Sequence, residues 1–433
     1  MSNHPAGTST SIPGPDDITR LQLDNGIILL QHENMQSPSV FISGYLGGGS
    51  MFDPLDKLGL ALFTSQALMH GTEQHTHQEI YDCLESTGAS LGLGASTHST
   101  TFAGRSLAED LPLLLNTLAE CLRFPVFPDQ ELELLRAQML TSLAIRAQDT
   151  EEQSALAFEE LLYAGHPYGR PEDGHVHTVS TLSRADATAF HCQHYHPNGM
   201  VIAVVGAVSC QQVQEVLKSS FDGWEMGQVE SPVFPALKPP AEAVHRHITL
   251  ADKHQTNLVI GTLGPARKSQ DYPAAVLGNH ILGQFGMMGR IGESVRERTG
   301  LAYYAGSILN AGMLGGSWEV SAGVNPDNLR RAEALILEEL RRFTQELVSE
   351  TELADSVSNL VGLLPLSLET NAGVASALVR LERYDLGLDY LRKYADTLRE
   401  ITPQQVLQAA QRYIDPDRLV ITSAGPELPV EVK

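Results

Sequence analysis

Residues 59–72 read Gly59-Leu60-Ala61-Leu62-Phe63-Thr64-Ser65-Gln66-Ala67-Leu68-Met69-His70-Gly71-Thr72. The stretch reads as an amphipathic helix from about Leu58 to His70. Its positions 62, 65 and 66 hold leucine, serine and glutamine, which offer neither a charge nor a strong metal-binding atom. Upstream, Thr19 to His32 and Ser39 to Leu46 have the composition of strands. Downstream, a second helix over about Gln78 to Thr87 precedes short alternating runs in Ser90 to Gly104 that predict paired strands. Leu107 to Leu122 and Asp129 to Gln148 carry apolar residues at three and four spacing and are predicted helices. A later helix ends near Tyr195, and Met200 to Val208 is an apolar strand.

The order then recurs. Residues 227–243 carry four prolines and no helical or alternating period, which is linker composition. The chain therefore divides into a domain over 17–226, a linker over 227–243 and a domain over 244–433. In the second domain Asn257 to Leu263 is an apolar strand, followed by helices at Asp271 to Leu282 and Met288 to Arg298. Strands at Ala302 to Leu309 and Gly316 to Val324 come next, then helices at Asp327 to Leu347 and Glu350 to Ser367, and a closing strand at Arg418 to Ala424. Leu84-Glu85-Ser86-Thr87-Gly88 before one strand pair corresponds to Val295-Arg296-Glu297-Arg298-Thr299-Gly300 before the other, the mark of an internal duplication. Strand pairs adjoining helix pairs, without regular strand-helix alternation, predict an α+β fold of two homologous domains, each a largely antiparallel sheet flanked by helices.

Composition sets outer bounds. A chain of 433 residues exceeds the usual limit of one core, and 42% hydrophobic residues can bury a sizeable interior. With 29 basic against 52 acidic residues the net charge is -23, which opposes binding to phosphate backbones or anionic lipid. Nucleic acid and membrane surfaces are excluded as expected partners. Cys83, Cys121, Cys192 and Cys210 are scattered, with no CxxC spacing, so neither a disulfide framework nor a cysteine zinc site is indicated. The first sixteen residues are rich in Ser, Thr, Pro and Gly and have no targeting pattern, and no apolar run is long enough to span a bilayer. A cytoplasmic location is expected.

Four short segments carry a family resemblance when read together. Leu23-Asp24-Asn25-Gly26, Gly49-Ser50-Met51-Phe52-Asp53-Pro54, Gly59-Leu60-Ala61 and Gly71-Thr72 stand in the order and spacing found around the metal helix of the M16 zinc metallopeptidases. That family includes pitrilysin, insulin-degrading enzyme and the mitochondrial processing peptidase, and this chain resembles most closely its two-subunit bacterial members. In the family the helix carries His-x-x-Glu-His, two histidines holding zinc and the glutamate activating a water. The matching positions here are Leu62, Ser65 and Gln66. The family's third ligand, a glutamate on a later helix, falls by spacing at Ser142. Leucine has no lone pair, glutamine offers a weak neutral carbonyl, and a serine hydroxyl stays protonated at neutral pH, so no zinc is expected on this chain.

A second segment completes the resemblance. Glu293-Ser294-Val295-Arg296-Glu297-Arg298-Thr299-Gly300-Leu301-Ala302-Tyr303 matches the family context in which an arginine and a tyrosine reach substrate bound at the zinc. Arg296 and Tyr303 are those residues here. A guanidinium can grip a peptide carbonyl, and a phenol can donate to the oxyanion formed when water attacks the scissile bond. Among the bacterial relatives one subunit carries the zinc motif and its partner carries the arginine and tyrosine. The resemblance implies that this chain is the non-catalytic subunit of a heterodimer, with zinc on an His-x-x-Glu-His partner and a peptide or unfolded protein as substrate. Self-association as an inactive homodimeric binding or structural protein is the alternative; retention of Arg296 and Tyr303 argues for the first.

Other clusters have plainer readings. His70, His75, His77 and Glu79 follow the helix in a Gln/Thr-rich stretch that reads as a solvated turn. His191, Cys192, His194 and His196 lead into Pro197-Asn198-Gly199-Met200, a helix end before a strand. His166-Pro167-Tyr168-Gly169-Arg170-Pro171 reads as a turn-rich loop. Gly47-Gly48-Gly49 and Gly283-Gln284-Phe285-Gly286 lack the GxxxxGK[ST] pattern of a phosphate loop and read as tight turns.

Overall fold

The computed structural model describes residues 12–228 and 234–428. Residues 1–11 of the leader and 229–233 of the linker lie outside the described residues. Among the described residues, eleven strands form two sheets. The first contains β1 (Ile18–Gln22), β2 (Ile28–Glu33), β3 (Ser39–Gly48), β4 (Ser90–Ala95), β5 (Ser99–Leu107) and β6 (Val201–Gly206) in the order β1-β2-β6-β3-β5-β4. The second contains β7 (Val244–Thr249), β8 (Thr256–Gly264), β9 (Ala302–Ala311), β10 (Gly316–Val324) and β11 (Val420–Gly425) in the order β7-β11-β8-β10-β9. Each sheet has one parallel pair, β2 with β6 and β7 with β11, and is otherwise antiparallel. The α+β class is therefore as the sequence indicates.

The first sheet is flanked by α1 (Leu60–Ala67), α2 (His77–Ser86), α3 (Leu111–Arg123), α4 (Asp129–Arg146), α5 (Thr150–Leu162), α6 (Val176–Val179), α7 (Arg184–His194) and α8 (Cys210–Ser220). The second half supplies α9 (Tyr272–Gly283), α10 (Phe285–Gly292), α11 (Leu329–Gln345), α12 (Glu350–Ser367), α13 (Asn371–Arg383), α14 (Tyr390–Arg399) and α15 (Pro403–Tyr413).

Three differences from the sequence reading matter. The single strand expected over Thr19 to His32 is a hairpin, because Asp24-Asn25-Gly26 turns the chain and Gly26 sits at φ +88°, where a Cβ is disfavoured. Strand β7 and helices α5, α8, α13, α14 and α15 were not expected. The helix expected over Met288 to Arg298 is broken: α10 ends at Gly292 and a π-helical turn runs over Glu293–Glu297.

The central strands show how the layers close. β6 reads Val-Ile-Ala-Val-Val-Gly and is buried at every position. Ile202 and Val204 face the first half's core with Ile42, Phe63 and Leu118. Val201, Ala203 and Val205 face the other way, against Val374, Ala377, Leu378 and Leu381 of α13 from the second half. β11 repeats this: Ile421 joins the second core, and Val420 packs on Phe158 and Leu162 of α5 from the first half. Each half thus lends one helix to cover the other's sheet. A continuous apolar strand is what burial on both faces requires.

Candidate functional site

Helix α1 is anchored at its start from three directions. Asp53 accepts hydrogen bonds from the backbone N–H groups of Gly59 (2.8 Å) and Ala61 (2.9 Å), satisfying donors that the first turn leaves free. Burial pushes its carboxyl up to about 7 despite those N–H donors. Gly59 takes φ +94° with the Asp173 carbonyl 2.9 Å from where its Cβ would stand, so only glycine fits there. Thr178 donates to the Leu58 carbonyl at 2.8 Å, and Arg146 of α4 ties the same loop through Asp173 and the Gly174 carbonyl.

Leu62, Ser65, Gln66 and Ser142, which the resemblance sets against the family's zinc ligands and base, have other surroundings. Ser65 is fully buried and its hydroxyl donates to the Leu62 carbonyl at 2.9 Å, within its own helix. Leu62 packs against the first half's core. Gln66 is half-buried one turn on. Ser142 is exposed on α4, which packs against α1. No nitrogen ligand, thiolate or carboxylate stands at any of these four positions, so the donor set does not fit zinc.

Arg296 and Tyr303 are held differently. Arg296 lies in the π-helical turn with its side chain about one-third exposed, and its guanidinium stands 4.0 Å from the carboxylate of the neighbouring Glu297. The turn closes on Gly300 at φ +63°, whose N–H donates to the Arg296 carbonyl at 2.9 Å. Tyr303 follows on β9, the edge strand of the second sheet. β10 pairs Val324 with Ala302 and Gly323 with Tyr304, which leaves Tyr303 as the extra residue of a β-bulge. Bulges re-aim a side chain away from the regular ladder. Tyr303 is 65% exposed, whereas the adjacent Tyr304 is tied inward, its hydroxyl accepting from Asn257 at 2.6 Å.

Positions elsewhere resolve into structural roles. Among the dense histidines, the His191 ring bonds the Leu122 carbonyl and the His194 ring packs, tilted, against Phe52 and Phe190. His166 caps the turn at Pro167–Gly169. Tyr168 in that turn bonds His98 at 2.6 Å and accepts from the Leu314 N–H, joining the halves. All four cysteines are free. Among the described residues no helix is long and apolar enough to cross a membrane. Sequence reasoning missed Asp53 as the cap of α1 and the bulge at Tyr303; the Asp53-Pro54 pair before Gly59 was the one available signal for the former.

Comparison with known proteins agrees with the fold. Residues 28–171 match the model described as insulinase (peptidase family M16), and residues 181–360 match that described as the peptidase M16 inactive domain. An uncharacterized zinc protease of Mycobacterium bovis is 26% identical over 392 residues, covering 90% of this chain and 88% of its own length. A crystal structure described as a peptidase M16 inactive domain from Pseudomonas fluorescens superposes with TM-score 0.89 at 27% identity, covering 96% of this chain and all of that one. A protease from Helicobacter pylori shares the fold at TM-score 0.88 and 18% identity, over 94% of this chain and 99% of that one.

Proposed function

The chain belongs to the M16 peptidase family, and from that premise we propose that it is the subunit without zinc in a two-chain zinc endopeptidase. The observation that carries the reading is Tyr303. A large aromatic residue that is mostly exposed, on a sheet edge and aimed by a bulge, adds nothing to packing, while its neighbour Tyr304 does the structural work. Arg296 precedes it in a π-helical turn, a local distortion often found at functional sites, and its ion pair with Glu297 is long, at 4.0 Å.

In this reading an M16 subunit bearing His-x-x-Glu-His holds the zinc, which supplies the activated water when bound. Arg296 grips a carbonyl of the bound peptide, and the Tyr303 hydroxyl donates to the oxygen that gains charge as the amide is attacked. Leu62, Ser65, Gln66 and Ser142 leave this chain with nothing to add to metal binding at the family position.

The test is the pair of subunits purified together. Tyr303→Phe removes one hydrogen-bond donor and keeps the ring, so peptide cleavage falls about 100-fold while zinc content stays at the wild-type level. Arg296→Lys keeps the charge but loses the planar fork, and weakens peptide binding. Unchanged turnover in Tyr303→Phe would sink the reading.

A further inference from the structure

Past the end of α1 the chain gathers a second group of potential ligands that the active-site reading does not use. The sequence gives His70, His75, His77 and Glu79 to a solvated turn, and for two of them the structure agrees. Glu79 closes a capping box at the start of α2, accepting from the Thr76 N–H at 2.8 Å, and the His75 ring pairs with Glu120 at 2.9 Å. His70 and His77 are different. They meet Glu131, from the first turn of α4, and the three potential ligand atoms lie within 4.8 Å of one another, each residue half-buried.

The arrangement has the marks of a ligand set. The His77 Nδ1 lies 3.0 Å from the Met69 carbonyl, so that nitrogen donates and Nε2 keeps its lone pair. Histidines that bind metals are oriented by just such a backbone bond on the other nitrogen. The His70 ring stacks on the His77 ring at 4.4 Å, and its Nδ1 stands 3.2 Å from a Glu131 carboxylate oxygen. Tyr81 packs against the outer side of His77, with ring centroids 4.8 Å apart. Two imidazoles and one carboxylate suit a borderline divalent cation. At bond lengths of roughly 2.0–2.2 Å, tetrahedral ligands stand about 3.3 Å apart, so side-chain rotations of about 1 Å would close the set.

We propose that His70, His77 and Glu131 bind a zinc-like divalent cation, leaving a fourth position for water. The site clasps the end of α1 to the starts of α2 and α4, and it departs from the expectation that this chain holds no metal of its own. It lies one turn beyond Gln66 and does not restore the family's motif. It also stands apart from the proposed subunit role: peptide cleavage with a partner tests Tyr303, whereas cation binding by the chain alone tests this cluster.

The experiment uses the full, untagged chain, stripped with chelator, desalted and titrated with Co2+. Visible absorption reports tetrahedral coordination, and elemental analysis after gel filtration with Zn2+ gives the stoichiometry. One equivalent per chain, a cobalt spectrum of tetrahedral type and a rise in Tm with zinc are expected. His77→Ala and Glu131→Gln each lower affinity more than about 100-fold, and Gln66→Ala leaves it unchanged. Failure of the wild-type chain to bind at micromolar cation overturns the proposal without any variant. Undiminished binding in His77→Ala overturns it as well, by moving the ion to another histidine cluster.

Discussion

Position 65 lies on the inner face of α1. Its serine is fully buried and its hydroxyl donates back to the Leu62 carbonyl, so a carboxylate placed there would stand in the interior. Ser65→Glu would bury a charge with no cation opposite, costing about 3 kcal/mol, read as a lower denaturant midpoint. An unchanged midpoint would mean that α1 can turn and expose position 65. His98 gives a residue-scale test of pH dependence. Burial, with Arg383 and His166 as further positive neighbours, lowers its pKa from 6.5 to about 4. The folded state therefore resists a proton that the unfolded chain accepts, so the contribution is full above 6.5 and is lost as pH falls toward 4. His98→Gln should flatten the Tm–pH curve in that window, and an unchanged slope would assign it to other groups. At this scale the residue types at 62, 65 and 66 were legible, because the spacing of Gly-Leu-Ala and Gly-Thr sets the register in which they are read. Asp53 was not, since a cap reaching over six residues to Gly59 is defined by the fold of the intervening turn.

The elements that position Arg296 depend on an ion pair that no local pattern announces. Arg290 on α10 meets Glu352 at the start of α12 through two hydrogen bonds, at 2.7 and 2.8 Å, and Glu339 of α11 at 3.8 Å. The bidentate guanidinium holds the Glu352 carboxyl down at about 2. α10 is thereby fixed just before the π-helical turn, in which the Arg298 N–H reaches the Glu293 carbonyl at 3.0 Å, five residues back. Arg290→Ala should lower stability by about 2 kcal/mol and, with a partner subunit, depress cleavage more than stability alone explains. Cleavage that stays normal at a temperature where the variant is folded would separate the pair from the site. The helix period ran legibly from Met288 to Arg298, yet the π turn was hidden, because one inserted residue leaves the apolar pattern nearly intact. Helix α13 was missed for another reason: its apolar face covers the sheet of the other half, so its own sequence does not announce the surface it packs on.

The whole molecule is knitted by its exchanged helices, which makes the apparent linker a poor place to divide it. α13 covers β6 and β3 of the first sheet, and its Asn371 donates to the Ser39 carbonyl at 3.0 Å while Arg383 reaches Ser99 at 2.6 Å. Glu382 at its end binds Arg20 of β1 through two contacts of 2.7 and 2.9 Å. In return α5 covers β11 and β8, with Thr422 donating to the Ser154 carbonyl at 2.8 Å. The sequence carries a recurring order of elements and a proline-rich stretch between them, but which helix serves which sheet is a property of the closed fold. Residues 17–226 expressed alone would leave Val201, Ala203 and Val205 facing water, a strand built for burial on both sides. The fragment should be insoluble or molten, and co-expression with 244–433 should restore a folded complex. Within the intact chain Leu378→Ala, at a fully buried position on α13, should cost about 2–5 kcal/mol and lower amide protection in β6 as much as in α13 itself. Loss confined to α13 would show that the halves unfold separately. Loss shared with β6 would mean that α13 and the sheet of the first half open as one cooperative unit, the kind of rigidity that the proposed action on a substrate seated on another subunit would require.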